Sequence, residues 1–338
     1  MTRGKRIEIV RDKTNPDRLL MMMLRAGSSY VSGEEISRNL GVSRSAVWKQ
    51  INQLREMGYE IEASTRLGYR ISKSPDILLP EEIWAKADLS FLGNRIYYFS
   101  SIDSTNTQAK KLAQQGAPHG TLVIADEQTG GKGRMGRSWL SPAGEGIWVS
   151  VILKPRFMPF DAPKLTILTA VAVVEAIRRE TCIPAEIKWP NDILVEGKKV
   201  CGILTEMSAE LDALNFVVIG IGINVNSDFF PEEIRDKAIS LKMALGETVK
   251  RLDIMSCFLE RLEYHYNASI SQGFESVFEK WRKLCCNLGK PVEIVAGSKV
   301  ITGIALNIDA QGALMIKKDN GEIEKVLSGD VSLRKLEI

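Results

Sequence analysis

Histidine and cysteine are scarce in this sequence, and their placing argues against several kinds of chemistry. The 338 residues include two histidines, His119 and His265, so a histidine-based metal centre or catalytic triad is not expected. The five cysteines show no metal-ligand spacing, and their odd number fits no disulfide framework. We therefore expect reduced thiols and a cytoplasmic protein.

Long apolar runs are also missing. The first six residues are basic, but no apolar core follows them, so they do not resemble a signal peptide. The most apolar stretch, residues 165–177, is too short and too rich in threonine to span a bilayer. With 44% hydrophobic and 26% charged residues, the composition is that of a globular protein, and the length suggests two or three domains.

Charge is distributed unevenly along the chain. Residues 1–74 contain 14 Lys and Arg against 8 Asp and Glu, whereas the remainder contains 31 against 34. A basic segment in front of a slightly acidic remainder predicts a nucleic-acid partner for the N-terminal part.

This basic segment has the pattern of a winged helix-turn-helix. A first helix is expected to begin at Asn15-Pro16 and to end at Gly27. A second helix opens with the capping box of residues 32–35, and Ser43 caps a third. Alternating stretches on either side of Gly68 then predict a hairpin wing.

The third helix and the wing carry the side chains that we expect to contact DNA. These are Arg44, Ser45, Trp48, Lys49 and Asn52 on the helix and Arg66 in the wing. Cationic and amide groups on such a helix reach base edges in the major groove, and a wing arginine can meet a phosphate. The alternatives are a protein-interaction module with a solvated charged face and, for Trp48, packing against the wing.

A glycine-rich loop follows in the middle of the chain. Residues 131–136 read GKGRMG, which satisfies the G-x-G-x-x-G pattern of dinucleotide-binding proteins. That pattern needs a strand before the loop and a helix after it, because the helix N-terminus holds the pyrophosphate. Here strands are predicted at residues 121–125 and 147–153, so the loop joins two strands and its cationic side chains need another explanation.

Three further segments of this predicted α/β region combine polar groups with turns. Residues 104–106 (Ser-Thr-Asn) open a helix, where they could cap it or bind a polar ligand head. Residues 188–192 read KWPND, and Gly220 and Gly222 interrupt an apolar strand, which usually marks the close approach of another group. Together these segments favour a polyphosphate site, at which Asp192 could hold Mg²⁺.

Four motifs in a fixed order carry a resemblance to a known family. They are DSTN at 103–106, GKGRMGR at 131–137, KWPND at 188–192 and GIGIN at 220–224. With a helix-turn-helix in front of them, the chain resembles the bifunctional biotin–protein ligases, the biotin operon repressor (BirA-like) family, along nearly its whole length.

The resemblance implies an α/β protein of three domains. A winged helix-turn-helix would occupy residues 1–79, and a mixed α+β catalytic domain like that of class II synthetases would occupy residues 80–286. A small SH3-like β-barrel would follow at residues 287–338. For this last part, short strands and a turn at Asn320-Gly321 independently predict a small β domain.

The resemblance also implies two activities. The enzyme would form biotinyl-5'-AMP from biotin and ATP, with Mg²⁺, and transfer biotin to a lysine of a biotin carboxyl carrier protein. As a homodimer it would bind operator DNA and repress biotin genes in response to biotin, with one surface meeting either the carrier or a second copy. Adenylation needs no nucleophilic side chain, which agrees with the scarcity of histidine.

The resemblance assigns residues to these steps. Biotin-binding positions are Ser104, Thr105, Asn106, Gln128, Gly131, Lys132, Gly133, Arg134, Trp139, Lys199, Gly202, Leu204, Gly220 and Ile223. Positions for ATP or the adenylate are Arg134, Met135, Arg137, Lys188, Asn191, Asp192 and Asn224, and Asp192 is the one suggested Mg²⁺ ligand. The expected catalytic residues are Lys199, Arg134 and Lys188. Many members have arginine in place of Lys132, and lysine keeps the charge but loses the bidentate fork.

Two other functions remain open. The first is a lipoate or other acyl–protein ligase on the same fold, against which the GKGRMGR and KWPND motifs argue. The second is a non-catalytic transcription factor that senses a ligand, against which the retention of Lys188, Asp192 and Lys199 argues.

Overall fold

The computed structural model describes residues 7–15, 17–155, 158–210, 213–297, 299–327 and 329–333. Its helices are α1 Arg18–Ala26, α2 Gly33–Leu40, α3 Arg44–Glu56, α4 Pro80–Lys86, α5 Thr105–Gln114, α6 Ala162–Thr181, α7 Glu232–Arg235, α8 Leu241–Leu245, α9 Arg251–Gln272 and α10 Glu275–Leu284. Its strands are β1 Glu8–Asp12, β2 Glu60–Ser64, β3 Gly68–Lys73, β4 Arg95–Phe99, β5 Thr121–Ala125, β6 Gly146–Leu153, β7 Glu186–Lys188, β8 Asp192–Val195, β9 Lys198–Glu210, β10 Ala213–Asn224, β11 Pro291–Ala296, β12 Lys299–Ile308, β13 Leu314–Lys317, β14 Ile323–Val326 and β15 Asp330–Leu333.

Helices α1 to α3 and the hairpin β2–β3 form the expected winged helix-turn-helix. Ser32 accepts a hydrogen bond from the amide of Glu35, and Ser43 caps α3 in the same way. The start of α1 differs from the expectation, because the carboxylate of Asp17 accepts from the amide of Leu20 and so caps the helix. The helix was expected to start at Asn15-Pro16, and Pro16 lies outside the described residues.

The predicted DNA-contacting side chains are accessible at the surface of this unit. Arg44, Ser45, Lys49 and Arg66 are exposed, and Asn52 is half-buried. Trp48 is 55% exposed, so it is not buried against the wing.

The central domain is built on an eight-stranded sheet with the order β1-β4-β5-β6-β10-β9-β8-β7. Strands β4 and β5 are parallel and the other neighbouring pairs are antiparallel, which confirms a mixed α/β domain. Side chains alternate across β10, so Ile219, Ile221 and Ile223 enter the main hydrophobic core with α6 and α9. Gly220 and Gly222 face the opposite side, which carries α5.

Strand β1 is an unexpected part of this sheet. Residues 8–12 belong to the predicted 1–79 domain by sequence, yet they pair with β4 in the register Glu8↔Phe99 to Asp12↔Arg95. Both carboxylate oxygens of Asp12 accept from Arg95, at 2.8 and 3.1 Å. The winged unit is therefore held to the central domain on its N-terminal side as well as through the linker that follows β3; the other domain boundaries stay predictions.

The C-terminal segment forms a five-stranded antiparallel sheet with the order β14-β13-β12-β11-β15, so a small β domain is confirmed. A turn at Asn320-Gly321 leads into β14 as expected. Strand β15, beside β11, was not predicted. Among the helices described here, none is long and apolar enough to cross a membrane.

Candidate active site

A cavity of about 480 Å³ opens on the glycine-bearing face of the central sheet. This volume lies within the usual range for small-molecule sites, about 300–1,000 Å³. The predicted site residues that line it are Ser104, Thr105, Asn106, Gln128, Lys132, Gly133, Arg134, Arg137, Trp139, Lys188, Asn191, Asp192, Lys199, Gly202, Leu204, Gly220 and Asn224. The fold thus brings residues from all four motifs to one place.

Three predicted positions do not line the cavity. Ile223 is fully buried in the core on the opposite face of β10, because neighbouring residues of a strand point to opposite sides. Its assignment to the pocket wall is therefore corrected. Met135 is 67% exposed at the tip of its loop. Gly131 is buried, and a Cβ there would lie 2.4 Å from the carbonyl oxygen of Trp139.

One wall of the cavity, the polar wall, is formed by Thr105, Asn106 and Gln128, with the fully buried Ser150 bonded behind them. The amide and hydroxyl of Thr105 lie 2.8 and 3.0 Å from Oε1 of Gln128. Because Oε1 accepts from the Thr105 amide, the Gln128 side chain directs its Nε2 to Ser141, at 2.8 Å. The hydroxyl of Ser104 accepts from the amide of Thr107 and caps α5, as the capping alternative predicted for this residue.

Asn106 is the most constrained member of the polar wall. Its Nδ2 donates to Oε2 of Glu206 at 2.9 Å, and its Oδ1 accepts from the hydroxyl of Ser150 at 2.6 Å. A Cβ on Gly220 would lie 2.1 Å from that Oδ1. The glycine in β10 is therefore explained by the close approach of a side chain. Ser150 and Glu206 were not predicted, although a serine inside the apolar strand β6 was an available signal.

Trp139 forms a second wall of the cavity. Its ring lies against Gly222, where a Cβ would be 2.3 Å from the indole Nε1, and against Gly202. The ammonium group of Lys199 lies 5.1 Å from the centre of the Trp139 ring, a cation–π distance. The same ammonium group pairs with Oδ1 of Asp192 at 2.7 Å. Lys199 is thereby held between an aromatic surface and a carboxylate.

The lining of the cavity is also cationic. The positively charged side chains there are Lys132, Arg134, Arg137, Lys188, Lys199 and Lys237. The carboxylates are Asp192, Asp236 and Asp330. The described lining thus carries more positive than negative charge, and a cleft of that kind attracts and stabilises polyanions.

The basic loop, residues 130–139, connects β5 to β6 as expected and contains only a short 3-10 turn at Arg134–Gly136. Arg134 donates to Oδ1 of Asn191 at 2.8 Å, and Arg137 pairs with Asp330 of the C-terminal sheet. Burial lowers the pKa of Arg134, although nearby carboxylates oppose the shift. An arginine remains charged in either case, so the loop carries its charge to the edge of the cavity.

A further segment of the cavity was missed by the sequence analysis. Residues 230–238, which include α7, contribute Phe230, Ile234, Asp236, Lys237 and Ala238 to the lining. The segment folds back onto β9, where the carbonyl of Lys237 accepts from the amide of Lys199 at 2.7 Å. Its charged run, EEIRDK at 232–237, is also what an exposed helix would show, so only the tertiary contact with Lys199 identifies it.

The metal prediction rests on one side chain. Within the described part of the chain, no three His, Cys, Asp or Glu side chains are grouped so as to hold a metal ion. Asp192, the predicted Mg²⁺ ligand, has one oxygen engaged by Lys199.

The fold and the cavity define a class of protein, an acyl–protein ligase joined to a DNA-binding unit. Residues 98–224 match the Biotin/lipoate A/B protein ligase family. Residues 17–70 match an HTH domain, and residues 288–334 match the Biotin protein ligase C terminal domain.

Individual relatives narrow this class. The chain is 44% identical over 317 residues to the bifunctional ligase/repressor BirA of Bacillus spizizenii, covering 93% of this chain and 97% of that protein. It is 28% identical to the Escherichia coli protein of the same name, over 97% of this chain and 100% of that protein. A structure of biotin protein ligase from Aquifex aeolicus in complex with biotin and ATP superposes with a TM-score of 0.62 and 32% identity, covering 71% of this chain and 98% of that chain. The chain belongs to the family of bifunctional biotin ligases and repressors.

Proposed function

We propose that this protein activates biotin with ATP to form biotinyl-5'-AMP and then transfers biotin to a lysine of a biotin carboxyl carrier protein. The observation that carries the proposal is a single cavity whose lining combines neutral hydrogen-bonding groups, most of them buried, with cations that include Lys199. A neutral ring head and a triphosphate require these two environments. Membership of the ligase/repressor family supports the same activity.

The polar wall would hold the ureido ring of biotin. Ser104, Thr105, Asn106 and Gln128 offer hydrogen-bonding groups that are already ordered by their own partners, so little ordering remains for the ligand to impose. Trp139, packed on Gly202 and Gly222, would support the fused rings. Leu204 and Gly220 would line the floor. The glycines and charges of the basic loop from Gly131 to Arg134 would close over the ligand.

The cationic residues of the lining would perform the adenylation. An oxygen of the biotin carboxylate attacks the α-phosphorus of ATP, the bond to the bridging oxygen breaks, and pyrophosphate leaves with the electron pair. Negative charge grows on the phosphate oxygens, so Lys199, Arg134 and Lys188 would act by position and electrostatics. The neutral amine of the acceptor lysine then attacks the acyl carbon, the bond to the phosphate oxygen breaks, AMP leaves with the electron pair, and the nitrogen gives up a proton to water.

The nucleotide end would include Met135, Arg137, Asn191 and Asn224 together with Asp192. Mg²⁺ would neutralise charge on the phosphates when bound. It keeps several waters and commonly binds nucleotides through one or two carboxylates, so a single free oxygen on Asp192 fits that use. Asn191 is positioned beside it by bonds to Arg134 and to the backbone of Ile203.

The basic loop would protect the intermediate. An acyl-adenylate hydrolyses if water reaches the acyl carbon, and a closed loop excludes water from that carbon. The loop is attached to the C-terminal sheet through Arg137 and Asp330, so its position and that of the small domain would be linked.

The winged unit would bind operator DNA as part of a ligand-promoted homodimer. Arg44, Ser45, Trp48, Lys49 and Asn52 would enter the major groove while Arg66 meets the backbone. When carrier protein is available, the surface used for the dimer would meet the carrier instead. The net positive charge of residues 1–74 supports this role, as does the exposure of five of these side chains, Arg44, Ser45, Trp48, Lys49 and Arg66.

The test is biotin-dependent exchange of pyrophosphate into ATP by the purified protein. We expect Lys199→Ala to reduce exchange by ~10²–10³-fold, as for removal of one preorganised stabilising group. Lys198→Ala is the matched control, since it removes a neighbouring lysine that does not line the cavity, and it should stay near wild type. No exchange by the wild type with biotin would contradict the proposal, and exchange with lipoate or octanoate would point to the alternative ligases.

The repressor activity is tested separately by band shift. Duplexes enriched from a random pool by the protein with biotin and ATP would be challenged with Arg44→Ala and Lys49→Ala. These variants should weaken DNA binding and leave exchange unchanged. Equal DNA binding by both variants would favour a protein-interaction module.

A further inference from the structure

Glu206 lies beside the cavity and belongs to none of the four motifs. It extends from β9 on the same face as Leu204, and its carboxylate accepts from Nδ2 of Asn106 at 2.9 Å and from Nζ of Lys110 at 2.7 Å. Asn106 and Lys110 stand four residues apart on α5, so one helix face presents both donors to it. Burial acts to raise the pKa of Glu206, but hydrogen bonds from Lys110 and Asn106 outweigh it, so the pKa lies below its ordinary value.

An ionised carboxylate sets the orientation of the Asn106 amide. A carboxylate can only accept hydrogen bonds, so Asn106 must turn its NH₂ group toward Glu206. The carbonyl of Leu204, 3.3 Å from Nδ2, is a second acceptor on the same side. The amide oxygen of Asn106 therefore points to Ser150, 2.6 Å away, where it requires a donor.

This orientation continues through the wall. Ser150 has one hydroxyl proton and must give it to Asn106, so it has none left for Thr105, whose oxygen lies 2.8 Å from that of Ser150. The proton of Thr105 goes to Ser150 or to Oε1 of Gln128, both inside the wall. Thr105 consequently faces the cavity with lone pairs alone.

We propose that Glu206 is a positioning residue that sets the donor–acceptor direction of the polar wall, and so selects a ligand that presents an N–H group to Thr105. The inference rests on the proposed function, because biotin's cyclic urea is the ligand that supplies such an N–H. Glu206 does not line the cavity, and it acts through Asn106 and Ser150.

Lys110 provides the means to test this direction. In Glu206→Gln, Lys110 would attract the new amide oxygen and leave the NH₂ group facing Asn106. The amide of Asn106 would then turn by 180° and donate its NH₂ group to the hydroxyl oxygen of Ser150. Ser150 would in turn donate its proton to Thr105, which would lose a lone pair that had faced the cavity. In Glu206→Gln with Lys110→Met, the glutamine is free to turn its oxygen to Asn106 and restore the original direction. Lys110→Met alone keeps the carboxylate.

The experiment measures KM for biotin and kcat in pyrophosphate exchange, with the biotin Kd from calorimetry, for the four full-length proteins. We expect Glu206→Gln to raise KM and Kd about tenfold with kcat within about twofold, equivalent to ~1.4 kcal/mol of binding free energy. Lys110→Met should remain within about twofold of wild type, and the double variant should recover most of the loss. Both binding constants describe only folded protein, so a lower yield would not imitate this pattern.

Other outcomes are decisive in the opposite direction. An unchanged KM in Glu206→Gln, a loss confined to kcat, or a double variant as weak as the single one would overturn the role of Glu206. If Glu206 were only structural, adding Lys110→Met to Glu206→Gln would weaken biotin binding further. Absence of biotin-dependent exchange in the wild type would instead overturn the proposed ligase activity, so the two failures are distinguishable.

Discussion

The polar wall and the basic loop line one cavity, yet they differ in burial and in what holds them. Thr105 and Asn106 are each 4% exposed and Ser150 is fully buried, and every one of them is bonded to another strand or helix. In the basic loop, Met135 is 67% exposed and the side chain of Arg137 is 63% exposed.

This difference separates two tasks. A wall whose donors and acceptors are ordered beforehand can select a ligand by the direction of its hydrogen bonds, because reorienting a buried group leaves a partner unpaired. An exposed loop held by few contacts can change position, which suits closing over an intermediate and opening for an acceptor. We expect substitutions in the wall to change biotin affinity and substitutions in the loop to change the later steps.

The largest expected effect comes from filling the space beneath the wall. In Gly220→Ala the new Cβ would lie 2.1 Å from Oδ1 of Asn106 and displace it. We expect biotin Kd, measured by calorimetry, to rise ~100-fold or more, about 2.7 kcal/mol. Gly130→Ala, at the start of the basic loop and outside the cavity lining, is the control, since its Cβ would meet nothing closer than 3.4 Å, and it should change Kd by less than about threefold. A similar loss of biotin affinity in both variants would contradict the expectation that the wall, and not the loop, determines biotin affinity.

Arg134→Ala should reverse the pattern. Arg134 donates to Asn191, which is assigned to the nucleotide, so its removal should lower kcat for exchange by ~10²-fold and raise biotin Kd by a smaller factor. Exchange kinetics at saturating biotin and direct biotin titration measure the two quantities. A biotin Kd that weakens as much as kcat falls would mean that Arg134 belongs functionally to the wall.

Arg137→Ala should have a smaller effect. Its partner Asp330 and its own side chain are both partly exposed, and exposed ion pairs contribute about 0–1 kcal/mol. We expect retained biotinyl-5'-AMP to dissociate no more than about fivefold faster, as followed by stopped-flow fluorescence. Asp330→Asn should give the same change if the ion pair is the cause, and an effect in Arg137→Ala alone would indicate direct contact with the adenylate.

The smallest expected effect is that of mild acid on the wall. The pKa of Glu206 lies below its ordinary value of 4.5, so the contribution of its carboxylate is fully present above that value and is lost as pH falls through the lower one. Biotin Kd should therefore stay constant between pH 8 and about pH 5.5 and weaken only in stronger acid. Weakening already near pH 6.5 would contradict an ionised Glu206 as the group that orders the wall.

Local signals explain what the sequence predicted well. The winged unit follows from caps such as Ser32 and Ser43 and from the buried spacing of Val47, Ile51 and Leu54, because each depends on residues a few positions apart. The basic loop was distinguished from a Rossmann turn because the residues after it disfavour a helix, and β5 and β6 do flank it.

Predictions failed or fell short where distant residues decide the outcome. Strand β1 is five residues long and has no distinctive pattern of its own; it becomes a strand because β4 offers a free edge. Ile223 was placed in the pocket with its motif, although strand alternation sends it to the core. Ser150 and Glu206 reach the site through strand pairing in the sheet, and Lys237 reaches it through a backbone hydrogen bond to Lys199.

By itself, the sequence determined the winged unit, the order of the ligase motifs and the cationic character of the loop, since caps, turns and charge are properties of neighbouring residues. Only the tertiary structure decided which groups share the cavity and in which direction they bond. Gly220 receives Asn106 because β10 lies between β6 and β9, and this packing brings Ser150 and Glu206 to opposite ends of one amide. Hydrogen-bond direction depends on every partner at once, and those partners come from four separate parts of the chain.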